Sequence, residues 1–142
     1  QVARPTPAGT ILQVCIGGSI GKCAICDREI TFNQQINSIT PNIVDSNYIH
    51  AVLSSNYIIS IMKDTTTGSA TPIINKSTWE NLSIPLPPLA EQRRICDFLN
   101  GVCYVQDGDV RRITATMVLY VPDCVEINEV KSVAPDAAPV KF

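Results

Sequence analysis

Residues 10–40 alternate short apolar runs with turn residues at a spacing that suits β-strands. TILQVCI (10–16) is the first such run, closed by Gly17 and Gly18. Residues 22–26 and EITF (29–32) are expected as strands on either side of the charged turn Asp27-Arg28. QINSI (35–39) alternates apolar and polar positions as a half-buried strand does. From Pro41 onward the period becomes helical. Asp45-Ser46 can cap a short helix carrying Ile49, Val52 and Leu53 on one face, and a second apolar helix is expected over 56–62. TTTGSATP (65–72) has the composition of a loop, and Ser77-Thr78-Trp79-Glu80 has the pattern of a capping box. LPPL (86–89) is rigid and extended. It leads into AEQRRICDFLN, where Ile95, Phe98 and Leu99 share a helical face and Asn100-Gly101 forms a stop. VCYVQ and VRRITATMVLYV, joined by Asp107-Gly108-Asp109, read as a β-hairpin, with a loose terminus after Pro122. The pattern predicts a mixed α/β (α+β) chain, with a domain over 1–100 and a different tail over 101–142.

A chain of 142 residues with 45% hydrophobic and 17% charged positions can bury one core. No apolar run has membrane-spanning length, and a cytoplasmic location is expected. The formal charge of −2 excludes a protein held to nucleic acid by bulk electrostatics. Lys/Arg and Asp/Glu are balanced over residues 1–100, so any nucleic-acid surface must be a small patch. The six cysteines include Cys23-Ala24-Ile25-Cys26, but no second pair has zinc spacing and His50 is the only histidine. Residues three apart in a strand point to opposite faces, so buried free thiols are expected and no metal is assigned.

GGSIGK (17–22) invites a phosphate-loop reading. That motif needs a glycine where Ile16 stands and a hydroxyl where Cys23 stands, followed by a helix rather than a strand-like KCAIC. Methylation motifs of the N-P-P-Y/F type, a glycine-rich cofactor loop and a Ser/His/Asp set are equally missing from the sequence. No catalytic residue and no cofactor is assigned.

Taken in order, three stretches carry a resemblance: the first strand with GGSIGK, then TFNQQINSI (31–39), then TTTGSATPIINKSTWENLSIPLPPLAEQRRI (65–95). From about Pro7 to Leu99 the chain resembles the DNA-specificity (target-recognition) domain of type I restriction-modification systems. The resemblance implies a strongly twisted β-sheet domain followed by a helix, and a non-catalytic subunit. Such a subunit reads one part of a bipartite double-stranded DNA site beside a methyltransferase (modification) subunit, sometimes joined by a restriction subunit.

On that reading, Gly17, Gly18 and Gly21 shape a turn, and Asn33-Gln34 is a buried framework pair bonded to backbone. Phosphate contacts position a protein and base-edge contacts specify. Lys22, Arg28, Lys63 and Lys76 are the positioning candidates. Thr65, Thr66, Thr67 and Ser69 are the readout candidates, with Gln35 a weaker one. Pro87, Pro88, Glu91, Gln92, Arg93 and Arg94 are assigned to docking of the methyltransferase. A second expectation, from the near-neutral charge and the apolar VLYV (118–121), is a protein-interaction or homodimerising module that keeps the fold without binding DNA.

Overall fold

The computed structural model describes residues 5–67, 71–102 and 124–132. Strand β1 (Ile11–Val14) lies at the centre of a three-stranded antiparallel sheet, between β2 (Cys23–Ile25) and β3 (Ile36–Ile39). Ile11 pairs with Ile25 and Ile39 at one end, and Gln13 pairs with Cys23 and Asn37 toward the other. EITF is not a strand: Ile30 makes only an isolated bridge with Thr6. The apolar pair Ile30 and Phe32 therefore gives the alternation without a partner strand to complete a ladder.

The inward row of β1 is Ile11, Gln13 and Cys15, all buried, while the more apolar row Leu12, Val14 and Ile16 is only half-buried. Gln13 is accommodated because every polar atom of its amide is used. Its Oε1 accepts from Trp79 Nε1 at 2.8 Å, and its Nε2 donates to the carbonyls of Leu53 at 2.9 Å and Gly21 at 3.4 Å.

Helix α1 (Ser46–Leu53) starts where Asp45 accepts from the Asn47 and Tyr48 amides, and it buries Tyr48, Ile49, Val52 and Leu53 against the sheet. Helix α2 (Asn56–Asp64) is capped by Ser55 and buries Ile58 and Met62. Helix α3 (Lys76–Glu80) is capped by Asn75, two residues before the expected Ser77: Asn75 Oδ1 accepts from Thr78 N and also from Ser77 Oγ, each at 2.8 Å. Trp79 is thereby delivered into the core at 1% exposure.

Strand β4 (Ser83–Pro85) and the extended Leu86–Pro88 lead into α4 (Leu89–Val102). This helix runs through Asn100-Gly101 rather than stopping there. Its inner face is Gln92, Ile95, Cys96 and the half-buried Leu99, whereas Phe98 is 54% exposed. Strand β5 (Cys124–Glu126) pairs antiparallel with β4, and α5 (Ile127–Ser132) follows, burying Ile127 and Val130 in the same core. Over 124–132 this replaces the loose terminus expected after Pro122. The expected hairpin at 102–121 lies almost wholly outside the described residues. Among the described residues no helix is long and apolar enough to cross a membrane.

Candidate nucleic-acid interface

The two ends of β1 separate the predicted residues into two groups. At the Val14 end the Lys22 carbonyl accepts from Val14 N, the Gln35 carbonyl from Cys15 N, and the Cys15 carbonyl from Ile74 N. A bridge between Ile16 and Ile73, and another between Ile73 and Thr67, brings in the chain that follows α2. Lys22, Gln35, Thr67 and the start of α3 at Lys76 therefore share one end of the sheet.

On the β3 side of this end opens a cleft of about 540 Å³, lined by Cys15, Gln34, Gln35, Asn37, Ile73 and Lys76 among others, with no Asp or Glu in its wall. Asn37, on β3, was not foreseen as a site residue. Its Nδ2 donates to Cys15 Sγ at 3.1 Å across the floor of the cleft. The signal was present in TFNQQINSI, where an asparagine stands in a strand, but its direction depends on register, which sequence does not supply.

The turn that bounds the cleft is fixed by Asn33. Its Oδ1 accepts from Gln35 N at 3.0 Å and its carbonyl from Ile36 N at 3.3 Å. Asn33 and Gln34 are both exposed, not buried as expected. A glycine with positive φ is needed at Gly17 (+69°) and Gly21 (+91°), whereas Gly18 has neither positive φ nor a neighbour that a side chain would meet.

Lys22 and Lys63 are exposed, and Lys63 sits in the last turn of α2, where the helix dipole favours a cation. Lys76 is exposed and pairs with Glu80 at 3.8 Å. Arg28 belongs to the opposite end of the sheet, beyond β2, 3.7 Å from Asp27 in a fully solvated pair. Two threonines turn back on their own helix end: Thr65 Oγ1 donates to the Ile61 and Met62 carbonyls and Thr66 Oγ1 to Lys63, closing the C-terminus of α2. Thr67 Oγ1 donates to the Ile73 carbonyl across their bridge, so none of the three hydroxyl protons is offered outward. Ser69 lies outside the described residues.

The docking candidates gather at the Ile11 end. Gln92 is 2% exposed: its Oε1 accepts from Asp45 N at 2.9 Å and its Nε2 donates to the Pro87 carbonyl at 2.8 Å. Pro87 is buried as well. Gln92 and Pro87 therefore tie α4 to the start of α1 instead of facing outward. Pro88, Arg93 and Arg94 are exposed, and Arg94 donates to Glu91 at 3.1 Å. Arg93 and Leu89 border a second, shallower cleft with Ile43.

Cys15, Cys23, Cys26 and Cys96 are free thiols, and burial pushes each of them upward, Cys23 to about 11. Such thiols stay protonated and unreactive near neutral pH. Among the described residues, no group of three or more His, Cys, Asp or Glu is placed to hold a metal.

A mixed α/β unit with these two ends defines a class. Residues 3–105 match the family described as the type I restriction modification DNA specificity domain, and the chain belongs to that family. It is 33% identical over 98 residues to the type I restriction enzyme MjaIX specificity subunit of Methanocaldococcus jannaschii, covering 68% of this chain and 22% of that one. Over 41 residues it is 44% identical to the MjaVIII specificity subunit of the same organism, covering 29% of this chain and 10% of that one. The fold resembles the crystal structure of the type I restriction-modification system S subunit from M. genitalium. That likeness has a TM-score of 0.55 and 22% identity, over 70% of this chain and 27% of that one. The matched stretch thus spans about a quarter of the length of the MjaIX and M. genitalium subunits, and a tenth of the MjaVIII subunit.

Proposed function

We propose that this chain is a non-catalytic, cytoplasmic recognition module that binds double-stranded DNA and reads one part of a bipartite site for a methyltransferase subunit. The observation that carries this reading is the Val14 end of the sheet. In a member of a DNA-specificity family, Gln35 and Lys76 line a cleft whose wall has no carboxylate, and Lys22 stands at the same end of the sheet. A net charge of −2 means that such a patch must do the work of attraction locally.

The opposite end suits the protein partner. Ile43 and Leu89 are each 37% exposed and Phe98 is 54% exposed, with Arg93 beside Leu89. Exposed apolar side chains among arginines are the composition of a protein interface, which serves a methyltransferase subunit, a restriction subunit or a second copy of this chain.

Titrating a duplex at several salt concentrations tests the reading. Three phosphate-facing lysines (Lys22, Lys63 and Lys76) predict a slope of log affinity on log salt near about −3, at roughly −0.9 per contact. A flat salt dependence, or no binding, would leave the interaction-module reading in its place.

A further inference from the structure

We infer that the cleft at the Val14 end seats one sugar-phosphate strand of the duplex through neutral amide donors, with Gln34 and Asn37 as its phosphate contacts. This deepens the DNA-binding reading and rests on it. Shape is the first argument. The cleft is concave and about 540 Å³ in volume. A phosphate ridge is convex and fits such a depression, whereas base edges lie recessed in the grooves and are reached by protruding elements.

The donor chemistry agrees. Phosphate oxygens only accept hydrogen bonds, so a seat for them needs donors and no carboxylate, and the wall has Gln34, Gln35, Asn37 and Lys76 with no Asp or Glu. One N–H of Asn37 is spent on Cys15 Sγ at 3.1 Å, and sulfur is a weak acceptor. That bond aims the amide while its second N–H has no acceptor among the described residues. Gln34 stands at the apex of a turn whose neighbours are fixed, since Gln35 is held through its N–H by Asn33 and through its carbonyl by Cys15. Its own side chain makes no hydrogen bond among the described residues, and the turn fixes the backbone that carries it.

Amide donors leave a signature that lysines do not. Removing a lysine–phosphate contact lowers the salt slope by about 1, whereas a neutral donor displaces no counterion charge of its own. A phosphate contact also weakens binding about equally for every sequence, unlike a base contact.

The test uses the full chain and its variants Gln34→Ala, Asn37→Ala and Asn37→Asp, each titrated against a panel of duplexes of unrelated sequence at several salt concentrations. Gln34→Ala and Asn37→Ala should each lose roughly tenfold in affinity, as expected for a hydrogen bond to a charged group. The loss should be equal across the panel and the salt slope unchanged. Asn37→Asp should lose more, most of all at low salt, because a carboxylate would then face phosphate. Unchanged affinities overturn the inference, as does a loss confined to some sequences, which would mean base readout. A drop in melting temperature for Asn37→Ala with Gln34→Ala binding normally would make Asn37 a framework residue and overturn the inference too. Failure of the wild type to bind any duplex is a separate outcome: it overturns the DNA-binding reading itself, and the inference with it.

Discussion

At Gly21 the backbone φ is +91°, and a Cβ placed there would lie 2.8 Å from Ile59 Cγ1 on α2. Both the left-handed backbone and the close helix exclude a side chain. Gly21→Ala is expected to cost about 2–4 kcal/mol, combining strain and overpacking, while Gly18→Ala should change stability by less than about 0.5 kcal/mol. Urea denaturation followed through the single tryptophan, Trp79, measures both. GGSIGK announces a turn in the sequence, yet it does not tell which glycine is indispensable. That is decided by a helix remote along the chain. The threonines of TTTGSATP were misleading for a related reason. Short hydroxyl side chains look outward in a loop composition, but just after a helix the nearest unpaired acceptors are its own last carbonyls, and Thr65 and Thr66 turn to those.

Elements whose apolar spacing is backed by local chemistry were legible. Strands β1, β2 and β3 follow the period-2 runs, and α1 begins at Asp45 as its cap predicts. EITF had the period without a partner, and α3 is capped by Asn75, two residues before the Ser77 that the capping-box pattern suggested. Helix α4 shows how a site residue is misread. In AEQRRI, Gln92 looks like part of a charged outer face, but it is buried and joins Asp45 N to the Pro87 carbonyl. Gln92→Ala removes two buried hydrogen bonds and is expected to destabilise the chain by about 2–3 kcal/mol, whereas Arg93→Ala on the exposed face should be close to neutral. Thermal denaturation of the two variants separates the clamp from the outer surface. The packing of α4 on α1 also decides that Cys96, not Phe98, faces inward.

At the scale of the whole molecule, the β1 sheet brings Lys22, Gln35, Asn37 and Lys76 to one end, and the second sheet, β4 with β5, is completed by residues far beyond the recognisable family stretch. Ile127 and Val130 are at most 1% exposed in the common core, and β5 covers the edge of β4. Ending the chain after residue 123 should therefore cost about 3–6 kcal/mol from the lost apolar burial, and would lower the melting temperature accordingly. Chain order alone could not reveal this, because an APDAAPVKF ending reads as a free terminus and the closing contact is long-range. The central claim remains sequence-selective DNA binding. It is tested most directly by selecting duplexes from a random-sequence pool with the full chain at low salt, alone and with a cognate methyltransferase subunit. The account predicts that the bound fraction carries one short, fixed motif, the chain's part of a bipartite site. A bound fraction indistinguishable from the input under both conditions would contradict it.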